Sequence, residues 1–548
     1  MQIKKYYIIL AIIILFGGVV RLINLDKSGG LWYDEITIYS IASQNTLHDM
    51  LTIDTHRFLL FPLYYIIYHF WLILFGNSDF TIRLMSYFFD ILSILCAFFA
   101  GKELGKICDI DKYKTGLIYT SLYCINSLII YYAQEAKFYS LSLLLVNIIL
   151  LFWLKYIQNQ NPKNFLLLCL SNLALSLVYT SQILFILLLY ITTVIYFFKS
   201  KIKIPINQIL IFPSVLLPVI IFCTIIPKYF SGNFDAVSVD WSFILLILQN
   251  FFSPMLNSLQ NNILNYQNIF FTNILNIPFL ILVIFPVTYM LYAIFKSLKQ
   301  SPLLSYLLGF GISYLMAHLL LSHITNYNVL VRYCIPVLPI FLLVASISIC
   351  KQKRLIPHFI YIFICIIMLF SPYSATKIAR PDGYKQLGEL LKRNSISQSS
   401  DFILPIRTNL LDKYYFINGS RHSLYTLNSE EFQKTYLTEE EINNLNNNKY
   451  NAYKHYFLSD DIPKEFEKLA CNKFIEDKSI VLITDKTISM YSNEEIRMIT
   501  QSNQYEKFPL QFLRLSKLNN DLILTLQKNT KHTDIINDKN WIIYIFTM

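Results

Sequence analysis

Residues 1–371 contain only three glutamates, Glu35, Glu103 and Glu135, so each can be weighed for chemistry. Glu35 follows Asp34 in GGLWYDEITIYSIAS, residues 29–43, one short polar link after an apolar N-terminal run. Carboxylates cost free energy wherever water is scarce. An adjacent pair at an apolar edge can serve as a general base or bind a cation. The plainer alternative is a cap, with Asp34 as N-cap of a helix beginning near Ile36. That accounts for one carboxylate and leaves its neighbour and the preceding Trp-Tyr unexplained.

Glu135 lies in IIYYAQEAKFYSLSLLL, where a turn of about six residues separates two apolar runs and carries Gln134, Glu135 and Lys137. An ordinary polar turn with a local Glu–Lys pair is one reading. A polar site beside Tyr131, Tyr132 and Tyr139 is the other. Arg332 opens VRYCIPVLPIFLLV, either as a helix-end anchor that snorkels to the interface or as a clamp for phosphate, which guanidinium binds bidentately. Asp90 is an acid inside an apolar run, a functional candidate by default, with no partner visible in the sequence. Glu103, beside Lys102 and Lys106, reads as a solvated loop residue. His318 and His323 read as packing or interfacial residues. The nine cysteines show no metal-site spacing or disulfide framework and read as core residues.

The elements that must position these groups are membrane helices. The 548 residues are 55% hydrophobic and 15% charged, with mean hydropathy +0.46. A soluble domain carries about 25% charged residues, which this chain does not approach. Residues 1–371 hold 23 Lys+Arg and 13 Asp+Glu, and residues 372–548 hold 23 and 22. A basic apolar part is thus followed by a near-neutral tail of 177 residues, long enough for its own domain.

Crossing a bilayer takes about 20 apolar residues. Eleven runs qualify: 6–24, 82–101, 115–132, 139–157, 164–181, 183–198, 206–226, 274–295, 303–323, 333–350 and 355–371. A twelfth, FLLFPLYYIIYHFWLILF at 58–75, carries Pro62, His69, Trp71 and three tyrosines. If it lies along the outer interface, 16 of the 23 basic residues fall in short cytoplasmic loops, as the positive-inside rule requires. The expected architecture is therefore a polytopic α-helical membrane protein of about 11 spans, N-terminus inside. Its membrane domain is 1–371, with a first outer loop at 25–81 containing an interfacial helix at 58–75. A mixed α/β domain, 372–548, follows on the outer side. FILPI at 402–406 and SIVLIT at 479–484 read as strands, residues 384–393 as a helix, and NNLNNN at 443–448 as a turn. The first apolar run lacks an A-x-A cleavage site and reads as a retained span.

In this order the motifs resemble those of the GT-C glycosyltransferases, specifically bacterial relatives of the protein O-mannosyltransferases and of the lipid A aminoarabinose transferase. LWYDEITIY resembles the family's first outer-loop motif. FPLYYIIYHFWLILFGNSDFTIRLMS is similar to its Pro-Pro-Leu-Tyr-Tyr stretch with a following Arg-Leu-Pro-Ser, and YYAQEAKFYSL to its Tyr-Ser-Gln-Glu-Ala-Arg-x-Tyr. VRYCIPVLPIFLLV resembles its late Arg-Tyr. Phe61 stands where the family has the first Pro, Met85 where it has the second motif's Pro, and Leu60 where a His often stands, with His56 four residues earlier. The match covers residues 1–371 and is most specific in 1–190.

The resemblance implies an inverting glycosyltransferase of the cytoplasmic membrane. It would move a sugar from a polyprenyl-phosphate donor to a protein, lipid A or glycan acceptor on the periplasmic or extracytoplasmic side. Asp34 resembles the catalytic Asp, with Glu35 its neighbour. Gln134, Lys137 and Arg332 fall on the donor and lipid-phosphate contacts, and a divalent metal ion held by Glu35 or Glu135 is left open. Membrane lipids are expected partners and nucleic acid is not. A polysaccharide polymerase or ligase places its large outer loop late, and a secondary transporter gathers polar groups at the midplane. Here the carboxylate-bearing loop comes first and polar groups gather at one surface.

Overall fold

The computed structural model describes residues 2–26, 30–53, 55–202, 241–254, 277–325, 331–352, 355–369, 384–396, 401–404, 413–414, 424–426, 479–485, 491–501, 510–538 and 541–547. The chain divides into two compact units, residues 1–27 with 41–379 and residues 28–40 with 380–548. The stretch holding Asp34 and Glu35 therefore groups with the C-terminal residues.

The first unit is helical, as long apolar runs without water to satisfy their backbone must be. Among the described residues six helices are long and apolar enough to cross a membrane: Ile3–Leu22, Asp79–Ile107, Tyr139–Asn159, Thr180–Lys199, Pro302–Leu321 and Val331–Lys351. The expected runs 164–181, 274–295 and 355–371 correspond to shorter apolar helices, Pro162–Val178, Leu282–Ser297 and Ile356–Met368. The run 206–226 and the turn 443–448 lie outside the described residues. The chain is thus a polytopic helical membrane protein. The 58–75 run forms a helix over Pro62–Phe75, its start set by Pro62 in the first turn. Its 14 residues span only about 21 Å at 1.5 Å per residue. One face buries Tyr64, Tyr65 and Tyr68, while Phe70, Ile73, Leu74 and Phe75 are exposed.

The expected span 115–132 is not continuous. Helices Lys112–Ile125 and Ser127–Ala133 meet at a bend of 64°. Asn126 makes the break possible, because its Oδ1 accepts from the N–H groups of Leu128 and Ile129, each at 3.1 Å. Those are the donors a new helix start leaves unsatisfied. Asn126 Nδ2 donates to the Phe251 carbonyl at 2.8 Å and Ser127 Oγ to that of Pro254 at 2.7 Å. Asn126→Ala is expected to lower the thermal stability of the detergent-solubilised protein by about 0.5–2 kcal/mol, and Asn126→Ser to recover most of it. Equal melting of all three proteins would show that the cap contributes nothing.

Asp90 has a partner that the sequence did not reveal. Arg21 Nε donates to its carboxylate, and both side chains are fully buried. Arg21 Nη1 also reaches the carbonyls of Gly17 at 3.2 Å and Cys124 at 2.9 Å. A chain of hydroxyls and an amide continues from Asp90. Tyr123 Oη is 3.4 Å from Asp90 Oδ1 and 2.8 Å from Ser93 Oγ. Asn147 Nδ2 donates to Ser93 Oγ at 3.0 Å, and Tyr119 Oη donates to Asn147 Oδ1 at 2.6 Å. Four helices are thereby tied together around one buried charge pair. Arg83 is likewise fully buried and donates to the Leu25 carbonyl at 3.3 Å. Glu103 also departs from the solvated reading. Helix Asp79–Ile107 runs past it, and it is largely buried and paired to Lys106 at 2.7 Å.

The C-terminal residues form a mixed sheet of β1 (Asp401–Leu404), β2 (Leu424–Thr426), β3 (Ile480–Asp485), β4 (His532–Asn537) and β5 (Trp541–Thr547), in the order β2-β1-β3-β5-β4. β1 runs parallel to β2 and β3, whereas β5 is antiparallel to β3 and β4. Ile480 to Ile483 are fully buried, as an unbroken apolar run in a central strand requires. The expected strands near 402–406 and 479–484 and the helix Tyr384–Arg393 are all present. Seven of the cysteines fall among the described residues, and each is a free thiol.

Candidate active site

In the first unit the short helix Ser127–Ala133 delivers Gln134, Glu135 and Lys137 into a tight turn before helix Tyr139–Asn159. All three side chains are buried. Gln134 Nε2 donates to the carbonyls of Arg21 at 3.0 Å and Ile23 at 2.7 Å, so its amide nitrogen fastens the turn to the end of the first helix. The Lys137 N–H donates to the Glu135 carbonyl at 2.7 Å, and Ser86 Oγ to that of Lys137 at 3.3 Å.

Lys137 Nζ lies 5.5 Å from the ring centroid of Tyr139, a cation–π arrangement. Arg332 stands half-buried on the 3₁₀ segment Val331–Val337, which contains Pro336. Its guanidinium sits 5.7 Å from the Tyr333 centroid. Two basic side chains of this unit thus each lie against a tyrosine ring, Lys137 against Tyr139 and Arg332 against Tyr333.

Sequence reasoning did not single out the groups that hold this arrangement. Tyr314 Oη lies 3.1 Å from both Gln182 Oε1 and the Tyr333 carbonyl, steadying the segment that bears Arg332. Phe61, which stands where the family has a Pro, stacks on Phe138 at 4.5 Å and on Tyr179 at 5.2 Å. The aromatic replacement therefore packs directly on the Gln134–Lys137 turn. His318 sits edge-on to Tyr314 at 4.6 Å, a packing position. His323 lies outside the residues whose side chains are described.

Asp34 and Glu35 belong to the other unit, in the first turn of helix Tyr33–Ala42. The Trp32 carbonyl accepts the first helical bond, from Ile36 N–H at 3.0 Å. Trp32 N–H in turn donates to Glu35 Oε2 at 3.1 Å. Trp32 is therefore the N-cap residue and Glu35 the reaching-back acid of a half capping box. The alternative of Asp34 as cap of a helix at Ile36 does not hold, because the helix starts at Tyr33. Glu35 is fully buried and Asp34 half-buried.

Among the described residues no three His, Cys, Asp or Glu side chains lie close enough together to hold a metal ion.

No protein-family model matches this sequence, nor does any curated protein. Solved structures do. ArnT from Cupriavidus metallidurans in the apo state superposes with a TM-score of 0.55 at 10% identity, over 100% of this chain and 98% of that one. The same protein bound to undecaprenyl phosphate gives 0.55 at 11% identity, over 99% and 98%. An Archaeoglobus fulgidus oligosaccharyltransferase complexed with Zn and sulfate aligns at 0.46 and 11% identity, over 90% and 70%. The chain has the GT-C fold of ArnT, the lipid A aminoarabinose transferase.

Proposed function

We propose that this protein is a glycosyltransferase of the cytoplasmic membrane that takes a sugar from a polyprenyl-phosphate donor and passes it to an acceptor on the outer side. The N-terminus is cytoplasmic and residues 372–548 form the outer domain in this reading. The observation that carries it is the pair of basic side chains set against aromatic rings, Lys137 on Tyr139 and Arg332 on Tyr333, within an ArnT-like fold. ArnT itself has been seen with undecaprenyl phosphate bound, and basic side chains such as Lys137 and Arg332 suit a lipid phosphate.

Asp34 acts as the base in this scheme. It takes the proton from an acceptor hydroxyl or amide, whose heavy atom attacks the sugar's anomeric carbon from the face opposite the phosphate. The carbon–oxygen bond to phosphate breaks, the configuration inverts and the polyprenyl phosphate departs. Arg332 and Lys137 stabilise the charge that develops on the leaving phosphate, and Gln134 keeps their turn in place. The acceptor is a protein, lipid A or a surface glycan.

Arg332→Ala is expected to slow release of undecaprenyl phosphate from an undecaprenyl-phosphate-linked sugar roughly ten- to a hundredfold, the about 1.5–3 kcal/mol of a charged hydrogen bond. Arg332→Lys should fall between, keeping charge while losing the bidentate fork. Wild-type rates in both variants would reduce Arg332 to an interfacial anchor and remove the clamp.

A further inference from the structure

The segment that bears Asp34 is gripped from both sides by residues of its own unit. Ahead of the acid, Leu31 N–H donates to Tyr414 Oη at 2.6 Å. Gly30 beside it has φ of +77°, and a Cβ there would stand 2.7 Å from both Tyr414 Oη and Lys385 Cβ. Only glycine meets that backbone conformation and that proximity together. Tyr414 is seated in turn against helix Tyr384–Arg393, where a Cβ on Gly388 would come within 2.8 Å of Tyr414 Cβ. Beyond the acid, Lys413 Nζ lies 4.6 Å from the ring centroid of Tyr39. The contacts thus fall three residues before Asp34 and five after it, and both come from the consecutive pair Lys413–Tyr414.

A loop that carries a base needs such support, since loss of position alone can cost orders of magnitude in rate. Glu35 fixes the helix start locally through Trp32. That bond sets the helix's own geometry and not where the helix is held. The Tyr414 hydroxyl and the Lys413 ammonium supply the second requirement.

We propose that Lys413 and Tyr414 form a clamp through which the C-terminal residues position Asp34, so that this domain is part of the catalytic apparatus and not an independent appendage. Its catalytic consequence rests on the reading of Asp34 as the base. Its structural content does not.

The test is hydrogen exchange on the full-length protein in detergent. Tyr414→Phe removes one hydroxyl and keeps the ring. Protection of the peptide 31–40 should fall about five- to tenfold, the scale of one net hydrogen bond, while the peptide 131–140 stays as in wild type. Gly30→Ala should act in the same direction and more strongly. Both variants should slow transfer while binding undecaprenyl phosphate with unchanged affinity. Val481→Ala, in the buried middle of β3 opposite Phe402 and Ile545, is the control for general loosening. At a matched loss of thermal stability it should leave peptide 31–40 protected. The clamp is overturned if Tyr414→Phe leaves 31–40 unchanged, or if Val481→Ala reproduces its effect. Should Asp34→Asn transfer sugar normally, the assignment of Asp34 as the base fails while the exchange result still decides the clamp.

Discussion

Replacing Arg21 alone by methionine is expected to destabilise the protein by about 3–5 kcal/mol, the cost of leaving one member of a buried ion pair uncompensated. Arg21 and Asp90 are both fully buried, so the variant leaves a carboxylate with Tyr123 Oη at 3.4 Å as its remaining neutral donor. It also strands the Cys124 carbonyl, which Arg21 satisfies at 2.9 Å just ahead of the Asn126 break. The double variant Arg21→Met with Asp90→Leu should recover most of the loss, since apolar replacement of a whole buried pair is often neutral or better. Thermal unfolding of the three detergent-solubilised proteins checks this. If the single variant melts with wild type, the pair is not a structural keystone. Transfer should fall with stability in Arg21→Met, because the first helix also provides the carbonyls that hold Gln134. If the double variant regains stability and stays inactive, the pair has a function beyond holding the helices together.

The contrast between what sequence reading supplied and what it missed follows from the range of each interaction. Apolar runs report helices locally, so the helical membrane class and the YYAQEAK turn were legible, whereas the number of spans was not. Strands such as IVLI at 480–483 declared themselves by an unbroken apolar run. The Arg21–Asp90 pair joins residues 69 apart in sequence, and a charge in an apolar run does not say which distant charge answers it. Asn126 was readable in principle, as an N-cap residue inside an apolar stretch. Hydropathy averaged over the span conceals such a break. Tyr414 meets Leu31 across 383 residues, and nothing near either position announces it. Placing the helix start at Ile36 had a more local cause. Asp is a favoured cap, but here Glu35 reaches back to the Trp32 N–H and moves the start to Tyr33.

That shifted helix start sharpens what Asp34 should do when changed. As the second residue of the helix it is not the cap, so Asp34→Asn and Asp34→Ala should both fold and express near normally. The favourable interaction with the helix N-terminus that each loses is worth about 0.3–1 kcal/mol. If Asp34 is the base, sugar transfer falls in both by the roughly 10²–10⁴-fold typical of removing a general base. Glu35 should behave in the opposite way. Glu35→Ala leaves the Trp32 N–H without its acceptor, at a cost of about 1–3 kcal/mol for a buried donor. Glu35→Gln restores the bond, since Gln serves the same position of a capping box. Thermal melting together with release of undecaprenyl phosphate separates the two roles, as Asp34 variants should lose rate at constant stability and Glu35→Ala should lose stability first. An Asp34→Asn protein that transfers sugar at the wild-type rate sinks the assignment, and the acceptor's proton must then leave by another group.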